Sequence, residues 1–189
     1  NFDNMPHVTL SAKIDPYSED FSKVKKVVQG IRTMPNDKVG PVVKEGARYE
    51  YSNGAIKLYY MLDKESNRFD YGTYTVPVKR TPLNGARIID ICFKNPDDAL
   101  RHTLTWSYYD AEGKLHGDWI RFCTSEKFEE WRVRSIDIMN GGHGAQTRKK
   151  KGLEPLPEPV EINSIQIYSS PARDGVERCI EVDYIRVRK

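Results

Sequence analysis

Apolar and polar residues alternate along most of the chain, with the period of two that sends successive side chains to opposite faces of a strand. His7-Val8-Thr9-Leu10-Ser11-Ala12-Lys13-Ile14 shows the pattern first, and Pro16 ends that run. Phe21 to Ile31 reads either as a strand or as a short helix, because Phe21, Val24, Val27 and Val28 fit a helical face while their neighbours favour turns. Residues 33–46, with Pro35, Asn36-Asp37, Gly40-Pro41 and Gly46, read as a loop carrying one short edge strand. From Arg48 to Tyr60 two strand-like runs flank Asn53-Gly54, a pair that tolerates the positive φ angles of a tight hairpin.

Further strands are expected at Tyr71–Val78, Arg87–Lys94, His102–Tyr109, Trp119–Thr124, Trp131–Ile138, Ile162–Tyr168 and Cys179–Val187, separated by Gly-, Pro- and Asp-rich turns. The pattern predicts an all-β, antiparallel sandwich of nine or ten strands with little helix, built as one domain over residues 1–189. No fixed-period repeat is visible. The one compositional shift runs from Asn140 to Glu161, with Gly141-Gly142-His143-Gly144, the basic run Arg148-Lys149-Lys150-Lys151, and Pro155, Pro157 and Pro159. Strand patterning on both sides makes it a long loop rather than a domain boundary.

Composition narrows the class. The chain has 189 residues, long enough to bury a sizeable core, and 11% aromatic residues suit strands. Its net charge of +3 is far from the dense basic charge of a nonspecific duplex binder, so nucleic acid is not expected. No apolar run approaches ~18 residues, which excludes a membrane-spanning helix. Cys92, Cys123 and Cys179 contain no C-x-x-C pair, so neither a zinc ribbon nor a disulfide framework is signalled, and one bridge or three buried thiols both fit. The chain begins at Asn1 without Met or an apolar leader, and so reads as processed or excised from something longer.

No G-x-S-x-G elbow, phosphate loop, G-x-G-x-x-G or H-E-x-x-H is present, and four scattered histidines form no ligand pair. Asp63, Glu65, Asn67 and Asp70 alternate like a calcium loop, but Arg68 occupies the turn glycine's place and Tyr74 that of the bidentate glutamate. The segment reads as a solvated hairpin loop.

The second half carries a series of strand phrases in a familiar order. Pro82 to Ile89, Leu104-Thr105-Trp106-Ser107-Tyr108-Tyr109-Asp110-Ala111-Glu112-Gly113, Glu130-Trp131 to Ile138, Ile162 to Ile167 and the closing Ile180-Glu181-Val182-Asp183-Tyr184-Ile185-Arg186-Val187 together resemble the galactose-binding-like jelly-roll carbohydrate-binding modules. The resemblance covers roughly residues 48–189. It implies a noncatalytic module of a secreted polysaccharide-degrading enzyme, extracellular or at the cell surface, linked to a catalytic domain and binding a plant or algal polysaccharide or oligosaccharide. Phe2-Asp3 resembles the family's opening, and the resemblance implies a structural calcium held by Asp3 and Asp183.

Strand parity then separates core aromatics from available ones. Leu104, Trp106 and Tyr108 share the apolar face, which turns Tyr109 outward; Ile120 and Phe122 turn Trp119 and Arg121 outward; Ile56, Leu58, Tyr60 and Leu62 turn Lys57 and Tyr59 outward. In Trp131–Ile138 the alternation slips between Val133 and Ile136, so a bulge is expected and Arg132 and Arg134 are placed outward. Tyr59, Tyr109, Trp119, Arg121 and Arg134 are the expected carbohydrate-binding residues, because flat rings stack on the C–H faces of pyranoses and arginine donates to hydroxyls or carboxylates. Two other readings stand beside this one. The chain's length and its 140–161 loop fit a small β-sandwich polysaccharide lyase or glycoside hydrolase, and the jelly-roll pattern also fits a protein-interaction or assembly domain.

Overall fold

The computed structural model describes residues 80–97, 101–124, 126–170, 172 and 174–189, together with segments 17–20, 31–32, 41–42, 48–52, 55–61 and 71–76. Thirteen strands and one helix lie among the described residues: β1 (Tyr17–Asp20), β2 (Ile31–Arg32), β3 (Pro41–Val42), β4 (Arg48–Ser52), β5 (Ala55–Tyr60), β6 (Tyr71–Val76), β7 (Thr81–Pro82), β8 (Ile88–Asn95), β9 (Arg101–Tyr109), β10 (Leu115–Thr124), β11 (Phe128–Asp137), α1 (His143–Lys150), β12 (Glu161–Ser170) and β13 (Arg178–Arg188). Three strands have only two residues each, which leaves ten of four residues or more, in keeping with the expected all-β class.

Every recorded strand pair is antiparallel. One sheet runs β11-β8-β13-β5-β4, with β1 also on β13; the second runs β10-β9-β12-β6-β2-β3, with β7 on β12. Chain neighbours therefore repeatedly cross between sheets, which is the jelly-roll arrangement of a sandwich. The tight hairpin is present as β4 and β5, whose last pair is Ser52 with Ala55. The run His7–Ile14, the segment between Phe21 and Gly30 and the loop residues 62–70 fall outside the described residues.

The core lies between the sheets. Leu58, Ile89, Ile91, Phe93, Ile180, Val182, Ile185 and Val187 come from the first, and Leu104, Trp106, Tyr108, Phe122, Ile162, Ile165 and Ile167 from the second. Phe93 meets Phe122 edge to face at 5.0 Å across the two sheets, and the buried Trp106 indole donates to the Ile138 carbonyl at 2.9 Å. Such contacts satisfy both ring geometry and the one polar atom a buried tryptophan brings. Ile162 and Ile165, like Val182 and Ile185, are three residues apart and yet share a face, so each strand must absorb one extra residue. Register shifts occur in those places, between Ile162 and Ser164 and between Val182 and Tyr184.

The expected bulge between Val133 and Ile136 is absent. Register runs without a break from Arg132 to Asp137, and the shift sits earlier, between Phe128 and Arg132. Directly opposed residues of an antiparallel pair point to the same side. Arg132 faces Phe93, Arg134 faces Ile91 and Ile136 faces Ile89, so both arginines have the parity of the core and lie along its open edge, not on the outer face.

Helix α1 was not signalled by periodicity, and none of its residues is buried. An eight-residue helix with no apolar face has little reason to form alone. It forms because Asp118 of β10 supplies its missing cap: the carboxylate accepts from the backbone N–H of Gly144 at 2.7 Å and of Ala145 at 2.9 Å. Gly142 is required for that approach, since a Cβ there would stand 2.2 Å from the Asp118 carboxylate. At the other end, Arg148, Lys149 and Lys150 complement the helix dipole, and Gly152 at φ 66° turns the chain out.

Candidate functional site

The two sheets present very different outer faces. On the first, Asp90 and Cys92 alternate with inward Ile89, Ile91 and Phe93, and pair with Arg186 and Tyr184 respectively. All four are nevertheless buried, between 0% and 7% exposed. The Asp90 carboxylate is fully engaged, accepting from Ser135 Oγ at 2.6 Å and from Arg188 Nε at 2.6 Å. A buried carboxylate matched in this way holds structure and offers no docking surface.

The second sheet is open. Cross-strand register lines up its outward side chains in rows: Leu115, Tyr109 and Glu161; then Gly117, Ser107 and Ser164; then Trp119, Thr105 and Gln166; then Arg121, Thr103 and Tyr168. None of these residues is buried. The second row has only small side chains and one glycine, so it forms a trough crossing the strands. Its floor is polar: Ser107 and Ser164 hydroxyls are 2.5 Å apart, and Asn163 donates to Ser107 at 3.0 Å. Tyr109 and Leu115 stand on one side and Trp119 on the other, with the two flanking rows four residues apart along β9, about 14 Å at ~3.4 Å per residue.

Each wall is held in place. Arg80 lies over the Tyr109 ring at 4.3 Å and reaches Glu161 at 3.4 Å. Trp119, 39% exposed, stacks on His143 of α1 at 4.5 Å with the rings 22° apart. The Asp118 clamp therefore also fixes the residue that covers one face of the indole. Next to it, Tyr168 donates to Gln166 at 2.6 Å, and Arg121 projects into solvent. The arrangement pairs aromatic walls with hydroxyl and amide groups that both donate and accept.

Of the residues expected from the sequence, Tyr109, Trp119 and Arg121 share this face. Tyr59 does not: it lies on β5, paired with Arg48 and Cys179 in the other sheet. Arg134 is exposed but belongs to the edge of that other sheet, for the parity reason given above. Asp3 lies outside the described residues, and Asp183 sits at the β13 register shift. Among the described residues no group of three or more His, Cys, Asp or Glu side chains stands together to hold a metal ion.

Strand parity also turns Ser107 outward, but sequence reasoning missed Ser164, Gln166, Tyr168 and Gly117. Their signal was available in the spacing of Ile162, Ile165 and Ile167, and in a glycine placed between Leu115 and Trp119 on the outward side.

His102 and the cysteines are structural. His102 is buried between Ser169 Oγ at 2.8 Å and Asn95 Oδ1 at 3.0 Å, and burial pushes its imidazole down to about 3. All three cysteines are free; burial pushes the Cys92 thiol up to about 12 and the Cys179 thiol up to about 11, which makes both poor nucleophiles.

No family model matches the chain, and no curated protein matches it. Solved structures do. The chain is similar to the glycoside hydrolase domain structure of Endo-D from Streptococcus pneumoniae R6, at 10% identity and TM-score 0.50, over 86% of this chain and 21% of that one. It thus spans about a fifth of that protein's length. It is also similar to the family 11 carbohydrate-binding module of a cellulosomal cellulase from Clostridium thermocellum, at 12% identity and TM-score 0.47, over 90% of this chain and 91% of that one, and to the CBM1 of BiXyn10A, at 11% identity and TM-score 0.48, over 93% and 99%.

Proposed function

We propose that the chain is a noncatalytic carbohydrate-binding domain, attached to a secreted polysaccharide-degrading enzyme, and that it holds a polysaccharide or oligosaccharide across the open face of its second sheet. The observation that carries this reading is the trough: small polar groups along the floor, with Tyr109 and Trp119 as flanking rings. Pyranose rings combine apolar C–H faces with a rim of hydroxyls, and a binding surface for them needs both ring faces and paired donors and acceptors. Arg121, at the end of the face, adds a donor for hydroxyl or carboxylate oxygens. The similarity to part of a chain bearing a glycoside hydrolase domain supports the attachment to a larger enzyme.

The test is affinity electrophoresis against neutral and acidic polysaccharides, followed by calorimetry on the retarding ones. Trp119→Ala or Tyr109→Ala is expected to weaken binding by ~2 kcal/mol or more, the loss typical of a central aromatic anchor. Retardation of both variants equal to that of the unmutated chain refutes this face as the site. Appearance of new reducing ends or unsaturated products would replace the binding reading with a catalytic one.

A further inference from the structure

A cavity of about 610 Å³ opens at the β9–β10 end of the sandwich, separate from the trough. Its walls are the turn from Asp110 to Lys114, His116 of β10, Arg148 near the end of α1, and the segment from Leu156 to Val160. That volume is in the range of small-ligand sites.

The walls are built rather than incidental. One Asp110 oxygen accepts from the Glu112 and Lys114 backbone N–H groups, both at 2.9 Å, and Gly113 at φ 78° completes the turn. The opposite wall is pinned by Tyr108, whose hydroxyl donates to the Pro157 carbonyl at 3.0 Å, and by Val160 N–H donating to Tyr109 at 2.9 Å. His116 is fixed by Asp110 at 2.7 Å and by its ring's contact with Tyr108 at 5.4 Å.

Charge decides what the cavity accepts. Asp110 is already answered by His116 and the turn N–H groups, which hold its carboxyl below the usual range. Glu158 is paired with Arg87. Arg148 uses only Nε, donated to the Glu154 carbonyl at 2.7 Å, and among the described residues its two terminal nitrogens have no partner. Lys114 likewise has no ion pair among the described residues, so two uncommitted cations face one uncommitted acid, Glu112. Exposed Lys149, Lys150 and Lys151 follow Arg148 and extend the positive region. Leu156 and Pro157 add an apolar part to the wall that Arg148 also lines.

A planar cation next to an apolar wall is complementary to a ring that bears a carboxylate. We infer that this cavity is a second glycan subsite, selective for a sugar acid whose carboxylate is gripped by Arg148 and neutralised by Lys114. The inference rests on the glycan-binding reading of the open sheet and names a class of substrate for it.

The probes are trigalacturonate and its neutral methyl ester, titrated by calorimetry and by NMR of the His116 ring. Trigalacturonate is expected to bind about tenfold or more tighter than the ester, the scale of a charge-assisted bidentate contact, and to shift the His116 signals. Arg148→Ala should abolish that preference and Arg148→Lys should keep part of it, with unchanged thermal melting in both; Lys114→Ala should reduce it. Equal affinity for acid and ester overturns the inference, as does a preference that survives both alanine variants. Displacement of trigalacturonate by equimolar inorganic phosphate would also overturn it, since the cavity would then be a simple anion site. Trp119-dependent binding of neutral glycans, with trigalacturonate leaving the His116 signals unmoved, defeats the inference alone. A His116 response that persists when no glycan depends on Trp119 or Tyr109 defeats the open-face reading alone.

Discussion

Replacing Asp118 with alanine removes three hydrogen bonds at once, to the backbone N–H groups of Trp119, Gly144 and Ala145 at 2.8, 2.7 and 2.9 Å. The last two are the first-turn donors of α1, which has no side-chain cap of its own and buries no residue. Loss of a cap typically costs ~0.5–2 kcal/mol, and bonds to a charged acceptor are worth ~1.5–3 kcal/mol, so the docked helix should lose about 2–4 kcal/mol. With no apolar face to hold it, the helix should open locally while the sandwich stays folded. That change corresponds to a roughly 30- to 1,000-fold larger open population. Limited trypsin digestion is the direct assay, because Arg148, Lys149, Lys150 and Lys151 all lie in or next to the segment that opens. Cleavage in this run should accelerate by a comparable factor when opening is fast relative to cleavage. Cleavage rates within twofold of the unmutated chain, with far-ultraviolet circular dichroism of the sandwich intact, would refute the idea that Asp118 is what holds α1.

Three other outcomes follow from the same contacts. Gly142→Ala should reproduce the Asp118→Ala digestion pattern, because the added Cβ would lie 2.2 Å from the Asp118 carboxylate; unchanged digestion would mean that the two can separate at little cost. Stability should fall as pH drops below 6.5: His102, neutral in the fold with its imidazole pushed down to about 3, takes up a proton on unfolding, so its contribution is complete above the unfolded value and is lost toward the folded one. Between pH 6.5 and 5 that is about 1.5–2 kcal/mol in urea unfolding, and a His102→Gln variant should show a flatter profile; parallel profiles would rule out His102 as the cause. Trp106→Phe should cost about 1 kcal/mol or more in the same assay, through the orphaned Ile138 carbonyl and the smaller ring, and no loss would contradict the packing described.

Much of the fold is legible in the sequence because its elements bury one face. Alternation in Leu104, Trp106 and Tyr108 places β9, and Asn53-Gly54 places the β4–β5 hairpin. The same rule places Tyr109, Trp119 and Arg121 outward. It fails at Arg132 and Arg134, where alkyl stems and charged ends let an edge position look outward by composition while its parity is inward. Tyr59 exposes a second limit: parity tells outward from inward, but not which of two outer faces a residue joins, and that depends on strand order across the sheets. Helix α1 is illegible for a different reason, since its cap is the side chain of a residue on β10 and no local pattern records it. The trough is intermediate, because its floor is a row drawn from three strands and becomes visible only once the register between them is known.

Asp118 and Trp119 are consecutive on β10, one turned toward the helix it holds and the other toward the open face. In a strand such neighbours cannot be adjusted separately. Losing one residue between Leu115 and Gly117 would exchange the two sides, turning the indole inward and the carboxylate outward, and would undo the helix anchor and the trough wall in the same event. Evolution of this site should therefore proceed by substitution along β10 and not by changes of its length.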